Sequence, residues 1–276
     1  MKTFDLHSLS AHHKVLVEPA GVAAELAWKP LYRVGAVAAL LTVVFTLISL
    51  PVYIVWPPPG GLQPTVSTVI DFFTIFQNNW LHGLFDLDLV MLICTILVVP
   101  LNFALFISLR RTNPSWMGIA LALSLVGSAT YLAINPSFTM LSLSHTYLAS
   151  SNVQRPLIVA AGLTSLSAYQ GTGFDMYYIW GAFSLLIMAV VMLRSTVFNK
   201  ATAYLGLITG ILMLVPPTVG MVGVVLAFLS LLPMLVWYFL LARRLSQLGR
   251  PVLPETAQVS AELEASGSGG RQEGRK

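Results

Sequence analysis

The sequence predicts an all-α polytopic membrane protein: a bundle of six transmembrane helices with two outer amphipathic-helix caps and both termini cytoplasmic. Three observations predict it. Of 276 residues, 56% are hydrophobic and 9% charged, against about 25% charged in an ordinary soluble domain. The apolar residues run in blocks, and a hydrocarbon core about 30 Å thick takes roughly 20 of them per helical span. Of the fifteen Lys and Arg residues, only Arg155 falls in a segment that a simple threading places outside.

The elements follow in order. Residues 1–30 form a cytoplasmic N-terminal segment without a short apolar run and cleavage site, so the first span, 34–55, reads as an uncleaved signal anchor. Pro57-Pro58-Pro59-Gly60-Gly61 ends it, since proline lacks the amide a helix needs and glycine holds a helix weakly. Residues 62–81 carry Val66, Val69, Ile70, Phe73 and Phe76 at helical spacing, the pattern of a helix lying along the membrane interface. The second and third spans, 84–109 and 116–134, are joined at Arg110 and Arg111. The second outer segment, 135–172, repeats the plan of the first, with Pro136, an amphipathic stretch, Pro156 and a helical run to Tyr169. Spans four to six, 173–193, 203–219 and 221–241, complete a transmembrane domain over 31–245. The tail, 246–276, is rich in Pro, Glu, Gly and Ser and is expected to be disordered.

Lys2, Lys14, Lys29, Arg33, Arg110, Arg111, Arg194, Lys200, Arg243, Arg244, Arg250, Arg271, Arg275 and Lys276 then lie on one side, which the positive-inside rule makes cytoplasmic. The net charge of +4 is thereby topological. Nucleic acid is excluded as a partner, because the short loops offer no basic face. The expected partner is the lipid bilayer, and the expected place is the cell inner (plasma) membrane.

Acidic residues sort oppositely: Asp71, Asp86, Asp88 and Asp175 lie outside or in the outer third of a span, with His82 and His145. Gly83-Leu84-Phe85-Asp86 and Gly173-Phe174-Asp175 open spans two and four, a weak repeat that a tandem duplication or a shared interface composition explains equally. As helix starts, Asp86 and Asp175 also suit caps. On one continuous helix, Asp86 and Asp88 lie about 200° apart. Asp86 then shares a face with His82 and Asn79, and Asp88 shares one with Thr95 and Asn102. Lipid contact disfavours that second stripe, so it faces the bundle interior, either as interhelical glue or as a polar path with Asp88 at its mouth.

Small residues at four-residue spacing, Ala120, Ser124 and Ser128 in span three and Thr202, Gly206 and Gly210 in span five, read as helix-packing stripes. Trp80, Phe85, Tyr177, Tyr178 and Trp180 read as an outer aromatic belt, and Trp28, Tyr32, Trp116 and Tyr238 as an inner one. Cys94, the single cysteine, reads as a small buried apolar residue.

The strings Trp80-Leu-His-Gly-Leu-Phe-Asp86-Leu-Asp88, Ser167-Ala-Tyr-Gln-Gly-Thr-Gly-Phe-Asp175, Ala201-Thr-Ala-Tyr-Leu-Gly-Leu-Ile-Thr-Gly210 and Val215-Pro-Pro-Thr-Val-Gly220 resemble bacterial membrane proteins grouped as a domain of unknown function. The resemblance runs from about 80 to 244. It implies a six-helix bacterial inner-membrane protein and brings no activity or catalytic residue.

Three function classes remain. The first is binding or transport of a small solute or cation, with Asp86, Asp88, Asp175, Thr95 and Asn102 as the binding candidates and no cofactor. The second is a metal-dependent membrane hydrolase in which His82 and Asp86 chelate a divalent metal from one helical face, completed by His145 or Asp175. No His-Glu-x-x-His or Gly-x-Ser-x-Gly string supports it. The third is a structural or sensory membrane protein without chemistry.

Overall fold

The computed structural model describes residues 27–250 apart from 56, 61 and 62, so the expectations for the N-terminal segment and the tail fall almost wholly outside the described residues. All described secondary structure is helical, as the composition predicts. In chain order it runs α1 (Lys29–Val55), α2 (Val66–Asn78), α3 (Trp80–Asp86), α4 (Leu89–Leu109), α5 (Pro114–Ile134), α6 (Ser137–Ala149), α7 (Arg155–Ala168) and a π-helical turn (Tyr169–Gly173). After it come α8 (Phe174–Leu193), α9 (Lys200–Leu212), a 3-10 turn (Pro217–Val219) and α10 (Met221–Leu248). Six stretches are long and apolar enough to cross a membrane: Lys29–Tyr53, Leu89–Leu109, Pro114–Ala149, Arg155–Leu193, Lys200–Val219 and Met221–Leu248.

The six long helices close a ring in chain order. α1 packs on α4, α4 on α5, α5 on α8, α8 on α9, α9 on α10, and α10 returns to α1. At the end where α1 begins, the ring is filled by fully buried Leu101, Leu105, Leu109, Met117, Met192, Leu241 and Leu245. At the other end sits a cap built from α2, α3, α6 and α7. It has its own core of Val69, Phe73, Phe76, Met140 and Leu166. Within this stretch, Val66–Asn78 forms the amphipathic helix that the spacing predicts, and its apolar face joins the cap core. Phe73 is fully buried, because the apolar face of α2 finds α6 and α7 as partners, and burial against protein replaces burial in lipid. Thr65 and Thr68 fix the start of α2 with a reciprocal capping box.

The second span starts later than the sequence suggests. α3 ends at Asp86, Asp88 takes a left-handed conformation (φ 62°), and α4 begins at Leu89. Aspartate tolerates that region better than most residues. The carbonyl of Leu87, freed by the break, accepts Ser137 Oγ at 2.5 Å and Asn135 Nδ2 at 3.3 Å from the α5–α6 junction. Asp86 and Asp88 thus belong to different helices, and the 200° separation does not apply.

The fifth span also differs: α9 ends at Leu212, and Pro217 opens a 3-10 turn instead of continuing a helix to Val219. The return into α10 is tight. A Cβ on Gly223 would stand 1.9 Å from the Pro216 carbonyl oxygen. Gly223→Ala is therefore expected to cost about 1–3 kcal/mol through overpacking, read as a lower unfolding midpoint in detergent; an unchanged midpoint contradicts that hairpin.

The charges separate along the ring axis. The described acidic residues, Asp71, Asp86, Asp88 and Asp175, lie at the cap end, whereas Lys29, Arg33, Arg110, Arg111, Arg194, Lys200, Arg243, Arg244 and Arg250 lie at the other.

Candidate functional site

α4 carries the centre of the site because its one polar stripe faces inward. Below the cap, the ring lines a cavity of about 130 Å³, to which every side of the bundle contributes. Thr42 and Thr46 come from α1, Cys94, Thr95 and Asn102 from α4, and Ser124 and Ser128 from α5. Tyr177, Gly181 and Ser184 come from α8, Met213 follows α9, and Trp237 and Tyr238 come from α10.

Three of the wall hydroxyls are committed as donors. Thr42 donates to Ala38 O at 2.9 Å, Thr95 to Met91 O at 2.8 Å and Ser184 to Ala120 O at 2.7 Å. Asn102 Nδ2 donates to Ser124 Oγ. Each hydroxyl that spends its single proton on a backbone carbonyl has only acceptor lone pairs left for a ligand. The wall is thus largely apolar with several acceptors. Donors are present too: Trp237 Nε1 is buried without a partner among the described residues, and the Ser124 hydroxyl, which accepts from Asn102, keeps its own proton.

Asp88 stands at the start of α4, on the cap side of the cavity-lining Met91 and Thr95. Its Oδ1 accepts the Tyr53 hydroxyl from the last turn of α1, and its Oδ2 accepts the Tyr169 hydroxyl from the π turn. The π turn presents Tyr169 because Gly171 (φ −106°, ψ −147°) leaves helical geometry between α7 and α8. Tyr169 packs edge-on against Tyr131 with centroids 6.1 Å apart, and Tyr131 tilts against cavity-lining Tyr177 at 4.7 Å. An aromatic layer therefore connects the carboxylate to the cavity roof. One side chain joins α1, the start of α4 and the junction of cap and bundle.

Thr95 and Asn102 line the cavity as the stripe predicts, and Asp88 sits above it. The other candidates are dispersed. Asp86 ends α3 with its side chain 2% exposed and Oδ2 3.4 Å from His82 Nε2, so the predicted shared face is realised. It is not a helix-start cap. Asp175 lies in the first turn of α8 and accepts the Thr218 hydroxyl. Since Asp86 ends a helix and Asp175 begins one, the two Phe-Asp strings do not occupy equivalent places. His145 is exposed on α6. Among the described residues no group of three or more His, Cys, Asp or Glu side chains is placed to hold a metal, so the four-residue metal set is not assembled.

Asp86 lies on the cap, before α4. Burial raises its carboxyl above the usual carboxylate range, with His82 pulling the other way. Its Oδ1 meets no hydrogen-bond donor among the described residues. The folded protein then binds this proton more tightly than the unfolded chain. The resulting stabilisation is complete below the unfolded value of about 3.9 and is lost as pH rises through the higher native value. Asp86→Asn is expected to flatten the fall of the unfolding midpoint with rising pH above about 4; a parallel fall in both proteins contradicts the assignment.

The sequence reading missed the tyrosines. Tyr177 and Tyr178 are not outer-belt residues, because Tyr177 lines the cavity and Tyr178 is 7% exposed; Tyr238 lines the cavity instead of the inner belt. Ser124 and Ser128 line it as well as packing helices. Nothing local in the sequence separates an inward tyrosine from a belt tyrosine. The Gln170-Gly171-Thr172-Gly173 interruption beside Tyr169 was the available signal.

Residues 78–245 match the model of a family described as a domain of unknown function (DUF4386). No curated protein and no solved structure matches the chain.

Proposed function

The chain belongs to the DUF4386 family, whose description assigns no activity, and from the geometry of its bundle we propose that it binds a small solute in the central cavity, admitted from the cap end past Asp88. The observation that carries this reading is the space itself, about 130 Å³ among the helices of a closed ring. Cavities near this size hold a benzene-sized molecule. An apolar body suits the wall, and the lone pairs left on Thr42, Thr95 and Ser184 can take a hydrogen bond from a donor on the ligand.

A cation is less well served. Both oxygens of Asp88 already accept tyrosine hydroxyls, and Asp86 is turned toward His82. Transport would further require the leucine and methionine plug at the far end to part. Orientation in the cell membrane, with the cap outside and the basic end cytoplasmic, is supported by the separation of charge along the ring.

Phenol and anisole test the donor's contribution, because they share a body and differ in the hydroxyl proton. At ligand concentrations well above Kd, phenol is expected to raise the unfolding midpoint of the detergent-purified protein, by about 1–2 kcal/mol at ten to thirty times Kd. Anisole should give a clearly smaller shift. Equal shifts, or none with either, contradict the reading.

A further inference from the structure

A second recess lies outside the ring, at the end away from the cap. It has a volume of about 660 Å³ and runs between the start of α5, the last turns of α8 and the flank of α9. Leu186, Val190 and Leu207 form its apolar wall, and Thr112, Trp116 and Arg194 stand at its rim. Arg194 is exposed, and no hydrogen bond or ion pair of its side chain is formed among the described residues. Trp116 is 52% exposed. The described acidic residues all lie at the opposite end of the ring, so nothing described at this end balances the guanidinium.

We propose that this groove is a binding site for an anionic phospholipid. One acyl chain lies along Leu186, Val190 and Leu207, and the phosphate faces Arg194 and the Thr112 hydroxyl. Charge complementarity selects the occupant: a guanidinium forks onto phosphate oxygens, and an anionic headgroup supplies the countercharge that this end lacks. The depth of Trp116 fits, since tryptophan settles at headgroup level while the wall below it meets hydrocarbon. Arg243 is exposed at the same end and does not line this recess, so site occupancy and general attraction make different predictions.

Native mass spectrometry of the detergent-purified protein titrated with phosphatidylglycerol or phosphatidylcholine reads this directly. The wild type is expected to retain one phosphatidylglycerol at least about fivefold more tightly than phosphatidylcholine, and Arg194→Gln to lose about fivefold for phosphatidylglycerol alone. Arg243→Gln, with the same net charge change, should bind as the wild type does. Equal losses in the two variants, or equal retention of the two lipids by the wild type, overturn the site. Inorganic phosphate added in excess should leave lipid retention unchanged; displacement by it would mean that the groove holds free phosphate and would overturn the lipid assignment. Arg194 is on the surface, so folding of the variant is not in question. Arg194→Lys gives an internal control, with retention between wild type and Arg194→Gln.

Discussion

Asp88→Ala is expected to destabilise the detergent-purified protein by about 2–4 kcal/mol, the net of two lost charge-assisted hydrogen bonds and relief of the carboxylate's desolvation. The variant strands the Tyr53 and Tyr169 hydroxyls and places alanine at φ 62°, where a Cβ without a local hydrogen bond is unfavourable. Asp88→Asn separates the two effects. It keeps the left-handed tolerance and one acceptor and loses the charge, so its cost should be about half. Tyr169→Phe removes one hydroxyl while keeping the packing on Tyr131 and Phe174, and should cost about 1 kcal/mol. The readout is the unfolding midpoint, together with protease cleavage at the α6–α7 connection. If the latch holds the cap, the cost of the variants and the rate of cleavage rise in the same order. Wild-type stability in Asp88→Ala would mean that the carboxylate holds nothing together.

Gly181→Leu is expected to abolish the stabilisation by phenol while leaving the fold intact. Gly181 lines the cavity, and a Cβ built on it meets no heavy atom within 4 Å. The added side chain has space to occupy, and that space is the solute's. A leucine carries three more carbons beyond Cβ, enough to fill much of a cavity of about 130 Å³. The apolar filling should stabilise the empty protein slightly, by up to about 1–2 kcal/mol, and reduce the phenol shift by at least about tenfold in affinity. Gly127 is not an equivalent position. Its Cβ would stand 3.3 Å from both the Trp180 Cβ and the Tyr177 carbonyl oxygen, so substitution there strains the α5–α8 contact. A Gly181→Leu protein that still responds to phenol would place the ligand elsewhere.

What the sequence reveals and what it hides divide along physical lines. Blocked hydropathy fixed the six spans, because a bilayer demands continuous apolar length. The polar stripe of α4 was legible for a related reason: Thr95 and Asn102 cannot face lipid cheaply, and both line the cavity. The break at Leu87 and Asp88 was not legible, since no proline or glycine marks it. It is sustained by Ser137, Asn135, Tyr53 and Tyr169, which arrive from elsewhere in the chain. The protein partners of the α2 face were not legible, because an amphipathic face looks the same whether lipid or protein covers it. The acidic cluster dissolved for a similar reason. Proximity in sequence and a common end of the bundle place Asp86, Asp88 and Asp175 near one another only until the backbone assigns each to its own helix and its own partner.

The protein's single cysteine, Cys94, stands in the wall of the cavity whose proposed entrance is at Asp88. Modification of Cys94 by methyl methanethiosulfonate, followed by intact mass, therefore reports access without an engineered label. The wild type should react slowly, at the rate at which the latch opens. Tyr169→Phe should react several times faster and Asp88→Ala faster still, while Gly181→Leu should be protected. Equal rates in wild type, Tyr169→Phe and Asp88→Ala, or full reactivity in Gly181→Leu, would contradict a solute cavity gated at Asp88.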